Sequence, residues 1–186
     1  ADHIVASTGE LQNMMEVLTK QQLDRYKKSR SASSPMIIIS QDEAIINEKS
    51  RSKKVKTWRY KAKNVRDFAF TSSRKFIWDA MGVKLGDRTV MAMSYYPKEA
   101  NPLYERYSTR AVAHTLNVYS KYTFDYPYPV AISVEAANGM EYPMICFNYG
   151  RPQKDGTYSE RIKYGMISVI IHEVGHNYFP MIVNSD

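Results

Sequence analysis

His172-Glu173-Val174-Gly175-His176, entered through the apolar residues Met166, Ile167, Val169, Ile170 and Ile171, decides how this chain is read. The apolar run predicts a buried helix. On a helix, residues four apart lie one turn apart on the same face, so His172 and His176 can reach one metal ion together. Glu173 falls beside that face, where it can take a proton from a metal-activated water. The upstream apolar residues give such an ion a dry and rigid support. The bland alternative is a buried helix with two hydrogen-bonded histidines. Against it, on average composition, this pattern arises by chance in well under about one chain in a hundred of this size. The metal reading is preferred.

Outward from that helix, the sequence alternates between strand and helix patterns. Thr157-Tyr158-Ser159-Glu160 fits a capping box that starts the helix, with Thr157 as N-cap and Glu160 at the third position. Residues 130–134 and 144–147 read as strands flanking an Asn138-Gly139 turn, the signature of a hairpin. Tyr126-Pro127-Tyr128-Pro129 breaks a preceding amphipathic helix over 105–122, where Val112, Leu116 and Tyr119 share one face. His114 lies on that helix with no neighbour that suggests a ligand role. Residues 89–96 read as an apolar strand. Nearer the N-terminus, Thr19 caps a helix running to about Arg30, and Met36–Ile39 is a short apolar strand. Trp58, Tyr60 and Ala62 alternate with Arg59, Lys61 and Lys63, the period of a half-buried strand. Thr71-Ser72-Ser73 reads as a boundary. The fold class is therefore α+β.

Composition narrows the function classes. The chain has 186 residues, 44% hydrophobic and 24% charged, as a soluble globular sequence has. Its longest apolar stretch near the C-terminus, 166–171, is broken by Ser168 and falls far short of the roughly 20 residues of a membrane helix. One cysteine, Cys146, cannot form an internal disulfide. The compartment stays open: the chain begins with Ala1, as it would after removal of a leader. The net charge of +7 is unevenly placed, with 16 Lys+Arg against 8 Asp+Glu in residues 1–75 and 10 against 11 in the rest. A basic half can bind nucleic acid, and aromatics interleave the cations here. Strand alternation instead turns Trp58 and Tyr60 inward and makes the cations a solvated face. The fifteen tyrosines are scattered core-and-rim residues rather than a platform for bases.

Two histidines do not complete a catalytic zinc site, which takes three protein ligands and keeps one position for water. The metzincin spacing is excluded, because Phe179 and Ile182 stand where that pattern needs Gly and His. The one acidic residue after His176 is Asp186, a ligand only if the chain turns back at once.

The segment from His172 through Asn177, Tyr178, Phe179 and Pro180 resembles the zinc helix of the gluzincin aminopeptidases, the aminopeptidase N family. In that family the third ligand is a glutamate separated from the second His by eighteen residues, which falls past Asp186. A second motif supports the resemblance independently. Asn138-Gly139-Met140-Glu141-Tyr142 is similar to the family's G-x-M-E-N, whose Glu binds the substrate's free α-amino group. Asn138 replaces the first Gly and Tyr142 the last Asn. These departures bear on the first specificity pocket, since Met140 and Glu141 are kept. Further upstream, residues 64–70 resemble the close of the family's N-terminal β domain, and 126–129 the turn feeding the sheet edge.

The resemblance thus implies that residues 1–72 are the end of a β domain and 73–186 the first part of a thermolysin-like catalytic domain. It implies one zinc ion held by His172 and His176, Glu173 as catalytic residue, and Glu141, Met140 and Gly139 as substrate-binding residues. Peptides with a free N-terminus would be the substrates, with no nucleic-acid partner. With the third ligand and the oxyanion-stabilising tyrosine expected past residue 186, the chain would be a fragment, with weak zinc affinity and little or no activity. A gluzincin endopeptidase, a leukotriene hydrolase-like epoxide hydrolase and a non-enzymatic basic binding module are the rivals.

Overall fold

The computed structural model describes residues 2–183. Its first part comprises β1 (Ile4–Ser7), β2 (Glu10–Leu11), α1 (Met14–Val17), α2 (Lys20–Ser29), β3 (Met36–Ile39), α3 (Gln41–Lys49), β4 (Tyr60–Lys61) and β5 (Phe70–Ser73). Then come β6 (Ile77–Leu85), β7 (Arg88–Tyr96), α4 (Leu103–Tyr122), β8 (Val130–Glu135), β9 (Met140–Tyr142), β10 (Ile145–Asn148) and α5 (Glu160–Gly175). An irregular turn, Asn177–Ile182, follows.

A six-stranded mixed sheet in the order β3-β6-β7-β8-β10-β9 forms the core. β7 pairs with β8, and β8 with β10, in parallel, whereas the pairs β3–β6, β6–β7 and β10–β9 are antiparallel. All six residues of β8 are buried, as expected of a strand with parallel neighbours on both sides. Strand alternation distributes the partners. Trp78 and Tyr95 stack on one face, where Trp78 meets Tyr26 of α2 at 5.5 Å between ring centroids. Asp79, Ser94 and Tyr96 point to the other face, towards α4. There the hydroxyls of Ser94, Thr109, Ser108 and Ser133 form a buried chain that reaches Asp79 at one end and Asn148 at the other. Because leaving any of these groups unpaired in the core is costly, the chain holds α4 in one register on the sheet. α5 packs against α4 and β10.

Several elements follow the sequence closely. Thr19 caps α2 in a full capping box with Gln22, β3 spans Met36–Ile39, and β7 and α4 occupy their expected stretches. His114 is exposed on α4. Two small two-stranded sheets, β1–β5 and β2–β4, lie outside the main sheet. β5 takes in Thr71, Ser72 and Ser73, and the main sheet draws β3 from the first 72 residues.

Three local readings are corrected. The hairpin around Asn138-Gly139 is absent: β8 and β10 are parallel neighbours, and the antiparallel pair is β9 with β10. The chain passes Asn138, which carries the positive φ of 71°, then runs out as the edge strand and returns between the two. The helix cap is Ser159, whose hydroxyl accepts from the Ile162 amide, because Thr157 is engaged by Asp155 in a local turn. In the basic stretch the alternating burial of Trp58, Tyr60 and Ala62 holds, but the hydrogen-bonded ladder shrinks to Tyr60–Lys61 against β2. Some of its cations are used internally: Arg59 pairs with Glu16 at 2.9 Å, and Lys56 donates to the Val17 carbonyl. No helix of the described residues is long and apolar enough to cross a membrane.

Candidate metal centre

The His172-Glu173-Val174-Gly175-His176 stretch forms the last turn of α5, with His176 as its C-terminal cap. Nε2 of His172 and Nε2 of His176 lie 3.0 Å apart, their rings nearly perpendicular. Two nitrogens bound to one tetrahedral zinc at 2.0–2.1 Å would stand about 3.3–3.4 Å apart, so the pair needs little movement to share an ion. The backbone beyond His176 fixes which nitrogen is offered. At Phe179 the chain leaves helical geometry (φ −139°, ψ 118°), and its carbonyl contacts Nδ1 of His176 at 3.0 Å. A carbonyl can only accept, so Nδ1 carries the proton and Nε2 presents its lone pair. Outer hydrogen bonds of this kind orient histidine ligands in metal sites.

Glu173 is 6% exposed, and its Oε2 has no hydrogen-bond partner among the described residues. Burial, then the nearby charge of Glu141, push its carboxyl above the usual range. Glu141 comes from the edge strand β9. Ligand atoms of Glu141, Glu173 and His176 all lie within 4.8 Å of one another, and of the described residues they are the group of three that could hold a metal ion. A cation fits this donor set: two carboxylates and the His176 imidazole converge, His172 Nε2 lies 3.0 Å from His176 Nε2, and one buried carboxylate oxygen has no partner among the described residues. Zinc suits the imidazole–carboxylate mixture.

Gly139 sits against this cluster, and a Cβ there would collide with Glu173 Oε1. Met140 is 42% exposed, beside Glu141. Met140 and Glu141 line a groove of about 1,420 Å³, together with residues 142–144 and 61–67. Sequence reading therefore named the residues that the fold brings together, namely His172, Glu173, His176, Glu141 and Gly139. Asp186 lies outside the described residues. Sequence reading missed the Phe179 carbonyl and Asn177, whose side chain accepts from the Met144 amide. Neither belongs to a residue type or spacing that announces a site.

A mixed α+β sheet with a two-histidine helix turned towards an edge-strand carboxylate defines the class. No protein-family model matches the chain, and no curated protein does. Solved structures do share its fold. One is an M1 zinc metallopeptidase from Deinococcus radiodurans, 13% identical with a TM-score of 0.55, covering 98% of this chain and 32% of that one. Another is a two-domain M1 zinc metallopeptidase mutant bound to L-arginine, 14% identical with a TM-score of 0.55, covering 99% of this chain and 33% of that one. The chain thus spans about a third of the length of the structures it matches, and the likeness is one of fold.

Proposed function

We propose that the chain carries the metal centre and amine anchor of a zinc aminopeptidase. The observation that carries this reading is the convergence of Glu141, from the edge strand, on Glu173 and His176 of the metal helix. An endopeptidase has no use for that extra carboxylate. When bound, zinc supplies a water of lowered pKa and polarises the scissile carbonyl. His172 and His176 hold the ion through Nε2. Glu173, buried beside them, accepts the attacking water's proton and delivers it to the leaving amine. Glu141 pairs with the substrate's α-ammonium, which sets the distance from N-terminus to metal and releases one residue at a time. Gly139 keeps the strand close to Glu173, and Met140 lines the place of the first side chain. The groove beside Glu141 receives the peptide. The L-arginine-bound neighbour supports a site that holds a free amino acid.

The domain division proposed with this function assigns residues 1–72 to the end of a β domain and 73–186 to the first part of a thermolysin-like peptidase domain. The two small sheets of the N-terminal part are in line with it, whereas β3 lies in the first 72 residues and belongs to the main sheet.

By itself the 186-residue chain is proposed to bind zinc weakly and to turn over little or no peptide, so the test is Glu173→Gln in the zinc-loaded full-length protein. Peptide turnover is expected to fall by about 100- to 10,000-fold, the usual weight of a general base, while zinc content by elemental analysis stays the same. Retained turnover overturns the assignment.

A further inference from the structure

α5 ends at Gly175, His176 caps it, and Asn177 follows with 2% exposure. The Asn177 side chain turns away from the metal helix towards the sheet edge. Its Oδ1 accepts the Met144 amide at 2.8 Å and the Tyr126 hydroxyl at 3.3 Å. Met144 is an unusual partner. It is 1% exposed and holds a left-handed φ of 66°, a conformation that costs a non-glycine residue about 1–2 kcal/mol. Its carbonyl accepts the Ile132 amide of β8 at 2.9 Å. Met144 is therefore suspended between the centre of the sheet and the residue after His176.

Met144 also forms the turn between β9 and β10, three positions beyond Glu141. β9 is a three-residue edge strand whose only sheet neighbour among the described residues is β10. So short a ladder fixes the height of Glu141 poorly on its own. A lock on the Met144 amide supplies what the ladder lacks. Without Asn177 that amide would be buried and unpaired, and the turn would relax towards a conformation that a β-strand residue prefers.

We propose that Asn177 is a positioning residue that fixes the Glu141-bearing edge strand against the helix carrying His172, Glu173 and His176. One short segment then holds both a metal-binding nitrogen and the latch that sets the amine anchor. The catalytic consequence rests on the aminopeptidase reading, whereas the latch itself does not.

Amide hydrogen exchange on the intact chain tests the latch without metal or activity. In Asn177→Leu, amides of residues 140–144 are expected to exchange about tenfold faster or more relative to those of β8 and α5, the weight of one lost buried hydrogen bond. Asn177→Asp keeps the acceptor and should restore the relative protection. If the leucine variant does not fold, Asn177→Ala gives the same reading. Unchanged protection at 140–144, or equal acceleration throughout the core, overturns the proposal. A second arm uses the zinc-loaded full-length protein and an alanine anilide, free or N-acetylated. Loss of Asn177 should lower kcat/KM for the free-amine substrate about tenfold more than for the acetylated one, with a rise in KM. A merely structural role would lower both alike and thereby contradict the positioning role. If the unmutated protein shows no preference for the free amine, the aminopeptidase reading fails while the exchange result still decides the latch.

Discussion

Gly139 approaches the Glu173 carboxylate so closely that no Cβ fits between them. The edge strand and the metal helix touch through a glycine on one side and a buried acid on the other. Gly139→Ala must push Glu173 aside or move β9 outwards. Displacing a proton-transfer group by about 1 Å can cost about 100-fold in rate. We expect kcat/KM for peptide substrates to fall by about that factor, with the thermal midpoint shifted by only a few degrees. Steady-state kinetics beside a melting curve check this, and undiminished turnover would show that the contact does not matter.

The glycine between the two histidines has a different reason. A Cβ on Gly175 would lie 2.6 Å from the Tyr119 hydroxyl of α4 and 2.9 Å from its ring carbon Cζ. Tyr119 cannot swing clear, because its ring packs on Tyr178 at 5.0 Å between centroids. On helix propensity alone, Gly175→Ala would gain up to about 1 kcal/mol. Overpacking against α4 reverses the sign, and we expect a net loss of about 1–3 kcal/mol by urea denaturation. Combining it with Tyr119→Leu should recover part of the loss.

Asp79 lends the fold a pH dependence. Burial pushes its carboxyl up to about 7, against the opposing hydrogen bonds from Thr109 and Tyr96. In the unfolded chain the group ionises near its ordinary value of 3.8. Between these values the folded state keeps a proton that the unfolded state has lost. Its contribution is therefore fully present below about pH 4 and is lost as pH rises towards 7, by at most about 4 kcal/mol. Asp79→Asn stays neutral throughout. Urea midpoints of both proteins from pH 4 to pH 8 should show the wild type losing stability relative to the variant as pH rises; a constant difference would contradict this.

The sequence made the metal helix legible because its information is local: four-residue spacing and an apolar face determine where His172, Glu173 and His176 stand. Glu141 was found through a motif, and its meeting with Glu173 depends on how the sheet is ordered. That order was not legible, since the apolar runs at 130–134 and 144–147 look the same whether they pair as a hairpin or lie parallel with a third strand returning at the edge. The capping box predicted Thr157, with Glu160 three residues on, but the Asp155 side chain engages Thr157 and Ser159 caps the helix without a box partner. The Phe179 carbonyl and the Asn177 latch depend on backbone geometry after the helix and on a partner 33 residues away. Neither has a sequence signal of its own.

The central claim is that Glu141 and the zinc helix together form a site for the free N-terminus of a peptide. The most direct measurement is kcat/KM of the zinc-loaded full-length protein for one peptide with its amino group free and for the same peptide N-acetylated. We expect the free peptide to be preferred by about 100-fold or more, as for a buried charged pair worth about 3 kcal/mol, and the preference to vanish in Glu141→Ala. Equal cleavage of the two peptides, or a preference that survives the loss of Glu141, would contradict the account.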